Sequence, residues 1–413
     1  MMWSMFRQSG SGRRIDPGIA VVIVMAFVAG PLCADEPSGT PTLYDGRTLV
    51  EWRERIKTID YTGPDIAQDV PGLLAICQDS GAPWFSRRQA ALTLGRIGEP
   101  AQSAVPVLVE FLEERGDDPE QSTQLWAIKS LALFGPLAGE AAPELVELLE
   151  DESVAPLPRL AAIEALGRIG PAQPEVLPAI SRALRAGLSL SGTDDADTME
   201  RAVAAAEMLE LFRGQAASTT PALIRATLSP NVLLRRAAAN TLGLIGPSAA
   251  PALPALADLV LFDDVAEVRD LAARAMGRIG SAAEPILIQL LQDADPEVRR
   301  RVATACRELG RAAPETVAAI EEAAAQEAPL VRIAAIESLW AVTEDADRVV
   351  PLALAEMAHD DRQVRIRAVR LLESVGPKLN GWLPELRDLA ADERTDVARA
   401  AQRVLRTVAS ELD

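Results

Sequence analysis

Five closely similar stretches, RRQAALTLGRIG, RLAAIEALGRIG, RRAAANTLGLIG, RDLAARAMGRIG and RRRVATACRELG, end at Gly98, Gly170, Gly246, Gly280 and Gly310. Weaker versions end at Gly135, Gly214, Thr343 and Gly376, and a degenerate last one near Ala409. Repeat length runs from 30 residues (Gly280 to Gly310) to 44 (Gly170 to Gly214), room for two helices and two short turns. Self-similarity at this period constrains the chain more than any other feature. One helical pair alone leaves an apolar face bare, so neighbouring pairs must stack. The expected product is an all-α array of about ten helical hairpins.

The second helix of each unit has a fixed pattern. Ile97, Ile169, Ile245, Ile279, Leu309, Val342 and Val375 stand one residue before the terminal position. Leu94, Leu166, Leu242, Met276, Cys306, Leu339 and Leu372 stand four before, and small residues such as Ala91, Ala239 and Ala273 seven before. Steps of three and four put all of these on one helical face. The terminal Gly is expected as a left-handed C-cap, and Pro136, Pro171, Pro247 and Pro377 stop the helix from continuing. First helices read AAPELVELLED (141–151) or AEPILIQLLQD (283–293), with Pro in the first turn where its missing N–H costs little. Hydrophobic residues make up 49% of the chain and aromatics only 4%, the balance of a core built from Ala and Leu helices.

Ahead of the array, Arg7, Arg13 and Arg14 precede an uncharged stretch, Pro17 to Ala34, with an apolar heart from Ile19 to Val28. This has the form of a secretory leader cleaved after Ala34, and its apolar core is short for a membrane span. The expected organisation is a signal peptide at 1–34, a linker and capping helix at 35–63, and the repeat solenoid at 64–413. The expected location is periplasmic or secreted, with no membrane insertion after cleavage. Past the leader only Cys77 and Cys306 remain, in repeats 1 and 7. With layers ~8–10 Å apart they stand ~50–60 Å from each other, too far for a disulfide. The net charge of −19 disfavours nucleic acid as a partner and favours a soluble monomer.

The unit resembles the HEAT repeat, and more closely the HEAT-like units first noted in phycobilisome-linker lyases. The motif V-R-x-x-A-A-x-x-L-G-x-I-G is matched at 86–98, 268–280, 298–310 and 364–376, and is weaker in repeats 4 and 10. The segment LYDGRTLVEWRERI (43–56) is similar to the N-terminal cap of secreted bacterial HEAT proteins, with Glu51, Arg53, Glu54 and Arg55 as its polar outer face. The resemblance implies a right-handed α–α superhelix. It also implies that the Arg eleven residues before each terminal position belongs to an internal Asp–Arg ladder. These are Arg87, Arg159, Arg235, Arg269, Arg299, Arg332 and Arg365, with Asp264, Asp295 and Asp361 as expected partners of Arg269, Arg299 and Arg365.

Solvent-side positions of the second helices are expected to line a concave face, where solenoids bind partners. Six residues before the terminus stand Glu164, Asn240, Arg274, Thr304, Glu337 and Arg370, and two before stand Arg96, Arg168, Arg278 and Glu308. The candidate partner-binding set is Arg96, Glu164, Arg168, Arg274, Arg278, Glu337 and Arg370, joined by Trp84, an aromatic expected in an inter-helix turn. Its mixed signs argue against a single polyanionic ligand. Repeat 4 carries an insertion, Gly187 to Asp197, whose Asp194, Asp195 and Asp197 lack the spacing of a calcium loop.

Catalytic machinery is sparse. The one histidine, His359, lies in a turn, whereas Ser–His–Asp and Cys–His chemistry each need a positioned imidazole. No His–Glu pair suits a di-iron site, no C-x-x-C-H attaches haem, and no G-x-x-x-x-G-K-[ST] cradles phosphate. The reading is a non-catalytic protein-interaction scaffold outside the cytoplasm, with a protein partner and no cofactor or metal. The alternative is a lyase-like or small-ligand-binding protein with a site near the repeat 4 insertion.

Overall fold

The computed structural model describes residues 42–114, 123–189, 195–326 and 328–412. The leader expected over 1–34 and part of the repeat 4 insertion, including Asp194, lie outside them. The helices in chain order are α1 (Leu49–Lys57), α2 (Val70–Gln78), α3 (Trp84–Ile97), α4 (Val105–Glu110), α5 (Thr123–Phe134), α6 (Ala142–Glu150) and α7 (Pro156–Ile169). Next come α8 (Val176–Leu188), α9 (Ala196–Leu209), α10 (Thr220–Ala226), α11 (Val232–Ile245), α12 (Leu253–Phe262), α13 (Ala266–Ile279) and α14 (Glu284–Leu291). The last are α15 (Pro296–Ala305), α16 (Pro314–Ala324), α17 (Pro329–Thr343), α18 (Ala346–Met357), α19 (Arg362–Val375), α20 (Leu383–Ala390) and α21 (Thr395–Leu412). Among the described residues there is no strand, only an isolated bridge between Tyr44 and Arg47.

The chain divides into two compact units, one ending at Ala101 and one beginning at Gln102. In the first, α1 is locked onto α2. Trp52 is buried, its Nε1 donates to the Tyr44 carbonyl at 2.8 Å, and a Cβ on Gly72 would fall 2.0 Å from its ring. Arg55 turns inward to the buried Asp69 at 2.7 Å, and Glu51 closes a capping box with Thr48. The expected polar outer face of this helix is therefore partly spent on holding it in place. Cys77 here and Cys306 in the second unit are free and buried, their thiols pushed up to about 12, chiefly by burial.

The second unit is a solenoid. Each second helix packs on the one before and the one after, in the order α5, α7, α9, α11, α13, α15, α17, α19, α21. Leu166, Leu242, Met276, Cys306, Leu339 and Leu372 are all essentially inaccessible, as the three–four spacing predicts. Val232–Phe262 is long and apolar enough in composition to cross a membrane, but the turn at Gly246 splits it into α11 and α12, which belong to different hairpins.

Two kinds of glycine make the stacking possible. The terminal ones are not left-handed helical caps as expected: Gly246 has φ 74 and ψ −140, and Gly280 φ 87 and ψ −143. This is the mirror image of extended backbone, reached cheaply by Gly alone. It turns the chain sharply into a 3₁₀ segment leading to the next hairpin. Three residues earlier, Gly167, Gly243 and Gly277 let the next second helix approach. A Cβ there would lie 2.7 Å from Met208, 2.8 Å from the Ala275 Cα and 2.2 Å from the Ala305 carbonyl oxygen.

Two units depart from the expected register. In repeat 4 the turn falls on Arg213 (φ 47, ψ −131) rather than Gly214, and Leu209 and Phe212 fill the core positions one residue early. In repeat 8 no glycine is present, α17 continues to Thr343, and the left-handed position passes to Glu344 at φ 49.

The arginine ladder exists, but its carboxylates come from the following unit. Arg235 donates to both Asp263 oxygens at 2.7 and 3.1 Å, to Asp264 at 2.6 Å, and to the Ser229 carbonyl at 3.0 Å. Arg332 grips Glu356 at 2.8 Å and the Gln326 carbonyl at 3.1 Å. Arg365 reaches Asp396 at 2.6 Å and the His359 carbonyl at 2.7 Å, and Arg299 reaches Gln326 Oε1 at 2.6 Å and the Asp293 carbonyl at 2.6 Å. Asp295 and Asp361, expected as ladder partners, instead cap α15 and α19, accepting from the Glu297 and Gln363 amides. Asp264 receives Arg235, while Arg269 donates to the Asp263 carbonyl at 2.6 Å. Burial pushes the Asp263 carboxyl up, but the Arg235 hydrogen bonds and the Val265 amide outweigh it and hold it below the ordinary range. One guanidinium thus ties its own inter-helix turn to the next layer, a use for which its planar fork is suited.

Gly277→Ala is expected to destabilise the protein by about 2–3 kcal/mol, because a backbone carbonyl cannot swing aside for the new methyl. Gly280→Ala has open space and only backbone strain, about 1–2 kcal/mol. Arg213→Gly relieves such strain at an exposed position and is expected to stabilise by about 1 kcal/mol. Urea midpoints for the three variants check the order.

Candidate partner-binding surface

The sequence-predicted surface residues separate into three groups. Glu164 and Arg168 are exposed on α7 and pair with each other at 2.8 Å, one turn apart. Arg370 is exposed on α19, and Arg96 and Arg274 are half-buried on α3 and α13. Glu337 is largely covered and serves the array itself. It accepts from Arg307 of the preceding unit at 3.1 Å and from Arg367 of the following unit at 2.9 and 2.8 Å. A residue held from both sides is a poor contact for a partner, since freeing it would strand two arginines.

Trp84 belongs to the first unit and is the first residue of α3 rather than part of a turn. The residue is 44% exposed, and its ring meets Phe85 edge-on at 6.0 Å between centroids and carries the Arg88 guanidinium at 5.2 Å. Arg53 of α1 lies 4.4 Å over the Phe85 ring. The two aromatics with their cations make an apolar patch with a positive fringe.

The structure assembles one network that the repeat pattern concealed. Arg278 donates to Glu308 at 3.2 Å, bridging two units through register-equivalent positions. Arg236 lies 3.8 Å from Glu207 and 3.6 Å from Glu267. At the centre is Glu210. Burial raises its carboxyl above the usual range, the Asn240 hydrogen bond works against this, Glu207 adds to it, and Arg236 and Arg278 oppose it. Glu210 was missed because repeat 4, aligned on Gly214, puts it at the position of a core leucine. With the turn on Arg213, it takes the place that Gly243 and Gly277 hold elsewhere and faces the next second helix. Leu211 beside it is 57% exposed, an apolar side chain among mixed charges. Arg274, Arg278, Glu308, Glu210 and Leu211 therefore give the second-helix side of repeats 4–7 the anchor-plus-polar-rim composition of a contact surface.

A cleft of about 410 Å³ lies between α12, α13 and α15, lined by Val260, Leu261, Val298, Arg269, Arg300, Arg301, Asp270, Asp295 and Glu297. It is not at the repeat 4 insertion, where the alternative reading puts a small-ligand site. Its charges are matched from within: Arg301 meets Asp270 at 2.7 Å and Arg300 meets Glu297 at 2.9 Å. A cleft neutralised in this way exerts little net pull on a charged ligand. Among the described residues no group of three or more His, Cys, Asp or Glu could hold a metal ion. Asp195 of the insertion caps α9, accepting from the Thr198 amide at 2.9 Å.

Comparison with known proteins supports the repeat reading. A model of HEAT repeats matches residues 110–189 and 253–340, and one of the PBS lyase HEAT-like repeat matches 86–114. No curated protein matches the sequence. Among solved structures, the Kap95:Nup1 complex is similar at 14% identity and a TM-score of 0.54, covering 87% of this chain and 53% of the other. Importin beta in an ammonium sulfate condition is similar at 12% identity and a TM-score of 0.52, covering 88% and 55%. The chain thus spans about half the length of each. The CpcE–CpcF complex of phycocyanin lyase from Nostoc sp. PCC7120 matches at 21% identity over 66% of this chain and 94% of that one, with a TM-score of 0.34. The glycine-turned hairpins and their stacked second helices are HEAT-type repeats, matched by the repeat models over 86–189 and 253–340.

Proposed function

We propose that this protein is a non-catalytic scaffold that works outside the cytoplasm and binds a protein partner on the second-helix side of its repeats. The observation that carries this is the division of labour among the charged residues. The ladder arginines and Glu337 are spent on joining layers, whereas Glu164, Arg168 and Arg370 are exposed on the second helices α7 and α19, Arg274 and Arg278 are half-exposed on α13, and Leu211 is exposed in repeat 4. Repeating arrays present surfaces of this kind to extended partners. The solved HEAT-type structure of Kap95 is of a complex with Nup1, a precedent for protein binding by the fold. The carboxylates that line the cleft between α12 and α15 are engaged, Asp270 with Arg301, Glu297 with Arg300 and Asp295 with the Glu297 amide, and the lone His359 is occupied in a turn, its Nδ1 accepting from the Asp361 amide at 2.9 Å. Export is supported by the arginines and apolar stretch of the first 34 residues.

The test is a crosslinking pull-down from the native cell envelope, with the chain from Asp35 as bait. One dominant protein is expected, its capture weakened ~10-fold or more by Arg168→Glu, Arg274→Glu or Arg278→Glu, the size of a lost central interface contact. A confirmed partner indifferent to all three reversals would put the site elsewhere, and recovery of a small molecule instead of a protein would favour a ligand-binding role. Mass spectrometry of the native protein is expected to show a mature N-terminus at Asp35. An intact Met1 in the envelope fraction would instead mean an uncleaved anchor.

A further inference from the structure

Phe262, the last residue of α12, is 78% exposed, and Leu228, just beyond α10, is 77% exposed. They stand eighteen residues before Gly280 and Gly246 respectively, so they are register equivalents in adjacent units. Both sit where the first helix ends and the turn to the second begins, about 10 Å apart at the usual layer spacing. Glu152, Gln292, Ala325 and Ala358 hold the same position in other repeats. A single exposed apolar side chain is unremarkable, but two in register at the tips of neighbouring layers form a pair of anchors. Nothing in the stacking uses them.

Their surroundings are acidic. Asp258 lies one turn before Phe262 on the same helix, and Asp264, Glu267, Asp295 and Glu297 are exposed around the adjoining turns. The arginines of these turns are less exposed than the carboxylates they meet: Arg235 is 11% exposed against 80% for Asp264, Arg236 28% against 64% for Glu267 and Arg300 27% against 58% for Glu297, while Arg269 donates to the Asp263 carbonyl. Arg225 is an exposed cation on the Leu228 side and donates to the Leu188 carbonyl at 3.1 Å.

We infer that the Leu228–Phe262 edge docks a protein segment carrying two apolar side chains about 10 Å apart, flanked by Lys or Arg. Charge complementarity selects this occupant over the others. A second copy meeting the patch by two-fold symmetry would press like carboxylates against each other, and an anionic lipid surface meets the same repulsion. The edge lies at the inter-helix turns rather than on the outward positions of the second helices, and the inference stands independently of the scaffold surface above.

The test uses two fluorescein-labelled amphipathic peptides, one of Leu and Lys and one of Leu and Glu, titrated by anisotropy against the full chain. The Leu/Lys peptide is expected to bind, and Leu228→Ser with Phe262→Ser is expected to weaken it ~10-fold or more, as losing two anchors should. Asp258→Lys with Glu267→Lys is expected to do the same without touching the apolar pair, while Arg406→Glu, an exposed position in the last repeat, leaves affinity unchanged. Circular dichroism melts of all variants control for folding. Equal affinity of wild type and the Ser pair, or equal binding of the Leu/Glu peptide, would overturn the inference. So would self-association in sedimentation velocity that Phe262→Ser abolishes, which would make a second copy the occupant.

Discussion

Each second helix in this protein is apolar on two sides, one toward its own first helix and one toward the next layer, and neither can be covered within a single hairpin. The rest of the architecture follows from that deficit. Gly243 and Gly277 exist at their positions because the neighbouring helix comes so close that a methyl would collide with its backbone. The terminal glycines exist because the chain must reverse sharply enough to deliver the next hairpin in stacking range. Removing either kind leaves the apolar pattern intact and strains the stack, by collision at the approach glycines and by backbone conformation at the terminal ones.

Charge performs a second, directional role on top of this. Burial of apolar surface is indifferent to small rotations between layers, whereas a forked guanidinium is not. Arg235, Arg299, Arg332 and Arg365 each join main-chain carbonyls of their own turn to a side chain supplied by the next unit. Because the partner lies 24 to 31 residues onward, the ladder sets how consecutive hairpins sit on one another. Glu337 extends the principle to the second-helix side, where it receives arginines from both neighbours. The outward charges that remain are the ones available for recognition, which is why sorting them by their existing partners is informative.

Repeat 4 shows what happens when the rule is bent. Its turn falls on Arg213, in a conformation close to that of Gly246, Gly280 and Gly376 in other units, and the cost is backbone strain at an exposed residue. The consequence is that Glu210, rather than a glycine, faces the next helix, and Leu211 emerges beside it. A half-buried carboxylate with a raised proton affinity and an exposed leucine thus appear where the register slips in repeat 4.

Sequence alone determined that the chain is an all-helical array, which positions are core and where the hairpins end in every unit but repeats 4 and 8, and that an arginine recurs at a fixed place in the unit. All of these are encoded in short periodicities, and a helix's apolar face is a property of spacings of three and four. The tertiary structure decided what periodicity cannot carry. The ladder arginines take partners from the following unit while Asp295 and Asp361 cap helices, Glu337 is bound on both sides, and Glu210 sits at the centre of a network. It also decided that Leu228 and Phe262 stand uncovered although both are as apolar as their buried neighbours. Each of these depends on contacts between residues roughly one repeat apart, and on a one-residue shift of a turn, which no count along a single helix can report.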